Sequence, residues 1–197
     1  MTESTTNTRL RITDAAVAVC RRAGLADLTV GAAAKAAAVS TALVHYHFDT
    51  KQALIVAVAE RIADEDATTL VQSMAAGRGL GTLDAIWDVL QQQAASGAAR
   101  CRMEVRLRAT GEPALAAPAA RYDAAVLEAL GKRLPPLLKE LGVGAAGTRE
   151  EVAAAVAAFL DGVGMALAVG QPATDVRTAY DAFWLMLIAA GQDGRRR

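Results

Sequence analysis

Histidine, cysteine, proline and aromatic residues are all scarce in this chain. Of 197 residues two are His, two are Cys and five are Pro, and aromatics make up 4%. Each shortage excludes something. Two cysteines, Cys20 and Cys101, lie far apart, each inside a helical pattern. They build no disulfide framework of a small secreted domain and read as small buried hydrophobes. A β-sheet draws on Val, Ile, Thr and aromatics in alternation, and this composition is short of them. Net charge is absent too, with 21 basic and 21 acidic residues, which argues against a nonspecific polyanion binder. The most apolar stretches, near 152–170 and 179–190, carry Asp161 or Asp181 and several glycines. They read as buried helices rather than membrane spans. The opening "MTESTTNTRL" has no apolar core of a signal peptide, so a cytoplasmic protein is expected.

What is present is alanine, within a composition that is 53% hydrophobic. Alanine is the best helix former because it loses no side-chain entropy on becoming helical. An all-α fold follows. Residues 1–7 read as a disordered lead. Leu10, Ile12, Ala15, Ala16, Val19, Cys20 and Ala23 then recur at helical spacing up to Gly24, a good C-terminal stop. Thr29 is the expected N-cap of a short helix over 30–37, and Ser40 that of another over 41–47. Asp49 or Thr50 caps a long helix from Lys51 to about Ala75. Two short helices joined by a tight turn form a helix-turn-helix unit. After the glycine-rich "GRGLG" at 77–81 come helices near 82–96, 98–110, 113–133, 136–142, 148–169 and 174–191. "LPPLL" at 134–138 is expected to break or kink the chain. "TREE" at 148–151 has the form of a capping box, and the tail "GQDGRRR" reads as frayed.

Both histidines fall in "VSTALVHYHFDTK", residues 39–51. On a helix His45 and His47 point nearly opposite ways, so they share no metal ion. Neither a catalytic serine motif nor a phosphate loop accompanies them, and no histidine lies in 82–191, which argues against an enzyme. A DNA-reading helix needs small residues at its N-terminal end and polar or aromatic ones that reach base edges and phosphates. Ser40, Thr41 and Ala42 are small, and His45 and Tyr46 stand at the exposed end. Lys51 opens the next helix, where its charge and the helix N-terminus both favour a phosphate. Phe48 belongs to the core, and His47 braces the turn as much as it meets DNA. Residues 1–52 carry six basic and four acidic groups, a bias too small to settle function.

These residues resemble a family. "AAVAVCRRAGLADLTVGAAAKAAAVSTALVHYHFDTKQAL" is similar to the N-terminal pattern of the TetR-type transcriptional regulators, over about residues 8–60. "MEVRLRATGEPALAAPAARY", residues 103–122, is similar to a stretch of that family's second domain. The resemblance implies a helix-turn-helix DNA-binding domain at 8–54, whose connecting helix continues to about 75. A helical effector-binding and dimerisation domain at 80–192 follows. It also implies that Thr29, Val30, Ser40, Thr41, Ala42, His45, Tyr46, His47 and Lys51 meet double-stranded DNA at a palindromic operator, with repression as the usual mode. Two departures stand out. The family's turn glycine is Ala38 here, and its usual tyrosine is His45, with Tyr46 one place on. His45 would make DNA contact pH-sensitive, which band shifts at pH 6 and 8 would test.

For an unidentified small-molecule effector the candidate lining is Trp87, Gln91, Met103, Leu107, Tyr122 and Phe159, with ordinary core as the alternative for each. Arg102, Arg106 and Arg108 read either as a solvated helix face or as partners for an anionic ligand. The last two helices have apolar stripes wider than one buried face needs. Val156, Leu160, Val163, Tyr180, Phe183, Trp184 and Leu187 are thus candidates for a homodimer face. A single deep core is the alternative. No cofactor, metal or membrane is called for. A ligand-independent regulator with a structural second domain, and a helical adaptor, stay open as other readings.

Overall fold

The structure, a computed structural model, describes residues 3–143 and 147–193. Among them there is no strand. The α-helices are α1 (Glu3–Ala23), α2 (Val30–Ala36), α3 (Thr41–His47), α4 (Lys51–Ala76), α5 (Leu80–Ala95), α6 (Ala98–Ala109), α7 (Ala116–Glu140), α8 (Arg149–Ala168) and α9 (Ala173–Asp193). The all-α expectation holds. The helices sort into two compact units: Met1–Asp66 with Ser96–Tyr122, and Ala67–Ala95 with Asp123–Arg197.

The first unit has one core. Ile12, Ala16, Val19 and Cys20 of α1 meet Ala33 and Ala34 of α2, Val44 of α3, and Leu54, Ile55, Val58 and Ile62 of α4. Cys101 and Val105 of α6 enter the same core, which is why residues 96–122 group with the N-terminal helices. The division at about 80 read from the sequence runs along the chain, whereas packing follows the apolar faces. Close approach of α6 to α1 depends on Gly97, left-handed at φ +80°, where a Cβ would stand 2.0 Å from the Arg21 carbonyl oxygen. Arg100 donates to that same carbonyl at 2.9 Å, and the Glu104 carboxylate accepts from Leu25 N–H at 2.5 Å. Beneath them Asp66 of α4 is buried between two guanidinium groups, Arg21 at 2.8 Å and Arg102 at 2.5 Å. A carboxylate taken out of water persists only with such partners.

Two boundaries differ from the sequence reading. Helix α1 begins at Glu3, so Glu3–Asn7 are helical rather than a disordered lead. Extending an existing helix adds a hydrogen bond per residue without a new nucleation cost. Residues 1 and 2 lie outside the described residues. Helix α7 runs unbroken through Pro135 and Pro136, absorbing the separate helix expected at 136–142. Its start is Ala116, after a 3₁₀ turn at Pro113–Leu115. An interior proline costs about 3 kcal/mol. Against this, Leu134, Leu137 and Leu138 are buried, at roughly 1.5–3 kcal/mol each. Arg133 also donates to the Met74 carbonyl at 2.9 Å, and Glu140 accepts from Gly79 N–H at 3.0 Å. Burial outweighs local propensity here.

In the second unit α8 packs on α5 and α9. Five of the chain's eight aromatic residues gather there. Trp87 and Tyr180 lie 5.3 Å apart, Phe159 stacks on Phe183 at 3.7 Å, and Trp184 meets Tyr180 and Phe183 edge-on. The Tyr180 hydroxyl donates to the Leu83 carbonyl at 2.7 Å. The α8 capping box forms as read, Thr148 and Glu151 each accepting from the other's backbone N–H. By length and composition alone α8 would cross a membrane, yet Val152, Val156, Leu160 and Val163 are buried within the chain. Of the tail "GQDGRRR", 191–197, expected to fray, residues 191–193 instead close α9, while 194–197 lie outside the described residues, as do 144–146 between α7 and α8.

Candidate nucleic-acid interface

The interface is built from caps. Thr29, extended at φ −118°, accepts from Ala32 N–H at 3.0 Å and starts α2. Ser40, extended at φ −75°, accepts from Leu43 N–H at 3.1 Å and starts α3. Of the two candidates before α4, Thr50 makes the cap, its hydroxyl accepting from Ala53 N–H at 3.0 Å. Between α2 and α3 the chain reverses through a Schellman turn. Val39 N–H reaches the Ala34 carbonyl and Ala38 N–H the Lys35 carbonyl. Ala38 holds the left-handed position at φ +54°, a conformation that costs an alanine about 1–2 kcal/mol.

Helix α3 is therefore short, fixed at both ends, and one-sided. Val44 and the following Phe48 are fully in the core, while Leu43 and His47 are half-buried. Thr41, Ala42, His45 and Tyr46 form the outer edge, with Tyr46 65% exposed. The Tyr46 and His47 rings meet edge-on at 5.2 Å. Thr29, Ser40 and Lys51 are exposed and Val30 half-buried. The sequence reading missed Arg9. From α1 its guanidinium donates to the His47 carbonyl and lies 4.3 Å over the Phe48 ring, holding the C-terminus of α3. No local pattern announces a partner 38 residues away. Among the described residues no group of three or more His, Cys, Asp or Glu comes together that would hold a metal ion.

The remaining candidates are distributed between the units. Trp87 is buried and Gln91 and Phe159 half-buried in the second unit; Met103 is half-buried and Tyr122 buried in the first, where Leu107 is 74% exposed. Arg102, read with Arg106 and Arg108 as a solvated face or as an anion partner, is buried against Asp66 and lies 4.2 Å over the Tyr122 ring. Of the dimer-face candidates, Val156, Leu160, Val163, Tyr180 and Trp184 are buried in one copy of the chain, and Phe183 and Leu187 half-buried. A side chain already enclosed has no area left to bury against a second copy, so the first five are core. The large apolar residues exposed on α8, its C-cap and α9 are Met165, Val169, Leu185 and Met186. Helical period reports a wide stripe but not which edge of it is covered.

Residues 12–58, the helices described above, match the model of the bacterial regulatory proteins of the tetR family. Among curated proteins none matches. Among solved structures the chain is similar to a TetR transcription regulator from Haloarcula marismortui, at TM-score 0.76 and 22% identity over 93% of this chain and 98% of that one. It is similar to a protein from Saccharomonospora viridis in complex with choline, at TM-score 0.71 and 18% identity over 90% and 95%. It is also similar to the multidrug binding protein EbrR complexed with proflavin, at TM-score 0.61 and 25% identity over 89% and 96%. The capped α2–α3 pair lies within the matched segment, so residues 12–58 form a domain of the type found at the N-terminus of the tetR family of bacterial regulatory proteins, and the whole chain shares the fold of these solved structures.

Proposed function

We propose that the chain is a repressor that binds a palindromic operator as a homodimer and is released by a small-molecule effector. One observation carries the DNA reading: a short helix, capped at its start and held by Phe48 and Arg9 at its end, presents only Thr41, Ala42, His45 and Tyr46 outward. Small residues first and larger polar ones after them let the backbone approach the major groove and the side chains reach base edges. In this reading Thr29, Val30 and Ser40 lie along the DNA backbone, Lys51 holds a phosphate, and His47 orients Tyr46. The exposed Met165, Val169, Leu185 and Met186 support a second copy seated on α8 and α9. Two-fold symmetry then spaces the reading helices one DNA turn apart, about 34–36 Å. The choline and proflavin complexes of similar proteins support a small-molecule effector, and the residues beyond 80 are proposed to bind it. Its effect must come from different affinities for two conformers, and α4, one unbroken helix from Lys51 to Ala76, is the element proposed to transmit it.

Selection of operator from random DNA tests the reading. A selected palindrome is expected. On it, Tyr46→Ala should weaken binding about tenfold or more, a loss in the range of one base contact. Lys51→Ala should lower the salt slope by about one while the native mass stays that of the parent. Parental binding by both variants would show that α3 and the start of α4 are not the contact surface.

A further inference from the structure

Arg9 of α1 reaches the C-terminal end of α3 in two ways. Its guanidinium donates to the His47 carbonyl and lies 4.3 Å over the Phe48 ring. His47 is the last residue of α3 and Phe48 its C-cap. The last carbonyls of a helix have no partner within it, and the helix dipole favours a cation beside them. Phe48 is 2% exposed, so its ring is a fixed floor for the guanidinium. Arg9 itself is exposed, which places this tie at the surface, one residue from Tyr46. The Tyr46 ring in turn meets the His47 ring edge-on. At its other end α3 is set by the Ser40 cap.

We infer that Arg9 is a positioning residue that sets the sequence discrimination of α3 without itself contacting DNA. The inference rests on the DNA-binding reading above. Base edges are read through hydrogen bonds of narrow geometry, whereas phosphates are held by charge whatever the sequence. Discrimination therefore depends on how α3 is turned about its own axis. Val44 is the one fully buried side chain within the helix, and Leu43 and His47 are half-buried. Burial of Val44 fixes the depth of α3 better than its rotation. The guanidinium is planar and rigid, with its face on the Phe48 ring and an edge N–H on the His47 carbonyl. Turning α3 would break that pair of contacts. Tyr46, packed on His47, is the reading side chain whose aim follows the rotation most closely.

The test titrates Arg9→Ala, Arg9→Lys and Phe48→Leu, each in the full chain, with the duplex selected from random DNA and with a random duplex of equal length. Salt is varied, and the temperature stays below the melting of each variant. The ratio of the two affinities is expected to fall about tenfold or more in all three, through weaker binding of the selected duplex. Affinity for the random duplex and the salt slope should stay parental. Phe48→Leu keeps an apolar side chain in the core and removes the ring; because Phe48 is buried, its effect cannot come from a lost DNA contact. The double variant Arg9→Ala with Phe48→Leu should lose no more than Arg9→Ala alone. A salt slope lower by about one in Arg9→Ala, with binding restored by lysine, would make Arg9 a phosphate contact and overturn the inference. A parental ratio in Arg9→Ala would overturn it too, even with a lowered melting temperature, since Arg9 would then serve stability alone. Arg9→Lys decides the matter if the alanine variant does not fold. Failure to select any duplex defeats the DNA-binding reading itself, and a selected duplex with an unchanged ratio defeats this inference alone.

Discussion

Ala38 is the residue at which local chemistry and fold disagree most directly. Its φ of +54° belongs to glycine by preference. Ala38→Gly removes about 1–2 kcal/mol of strain but returns part of that through the more flexible unfolded chain. A net gain of about 0.5–1 kcal/mol is expected in chemical denaturation, with operator affinity unchanged because Ala38 sits in the turn and not on the outer edge of α3. A second residue-scale expectation concerns the thiols. Burial, then the neighbouring Cys101 and Glu104, pushes Cys20 up to about 12. Burial, then Glu104, pushes Cys101 up to about 11. Both stay protonated near neutral pH, so a thiol reagent at pH 8 should label the folded chain negligibly and two sites after denaturation. The sign follows. Above the ordinary thiol range, about 8.5, the unfolded chain sheds protons that the folded chain keeps, so stability falls as pH rises from there toward 11.

At the scale of elements, short helices survive here by their ends. Seven residues make a marginal helix in isolation, so α2 and α3 depend on Thr29 and Ser40; replacing either by Ala should cost about 1 kcal/mol. Phe48→Ala should cost about 3–5 kcal/mol, because it empties the core and removes the ring under Arg9. Helix α8 carries a pH-dependent end. The Thr148 backbone N–H, then its hydroxyl, hold the Glu151 carboxyl below the usual range. A lowered carboxylate contributes fully above its unfolded value, about 4.3, and the contribution is lost as pH falls through the folded one. Amide exchange in the first turn of α8 should therefore quicken between pH 5 and pH 3.5 beyond the intrinsic change. Glu151→Gln should flatten that response while keeping the box.

At the scale of the whole molecule the expectation is a dimer. Met186 is exposed on α9 among apolar neighbours, so Met186→Arg should leave the fold intact and give a monomer by native mass. Operator affinity should drop by about tenfold or more, since two half-sites are then no longer engaged together. A variant that stays dimeric would remove this face of α8 and α9 from the proposed interface.

The sequence by itself determined the helical class, the caps at Thr29 and Ser40, the capping box at Thr148 and the position of the α2–α3 pair. All of these rest on interactions within a few residues, where spacing and side-chain type suffice. Tertiary structure alone decided the rest. It carried α7 through Pro135 and Pro136, because three buried leucines outweigh two lost hydrogen bonds. It drew α6 into the first unit through Gly97, Arg100 and Glu104. It put Arg9 under α3, buried Arg102 beside Asp66, and turned Val156, Leu160, Val163, Tyr180 and Trp184 into core. Those outcomes depend on which partner lies opposite each face, and a helical period tells that a face is apolar without telling what covers it.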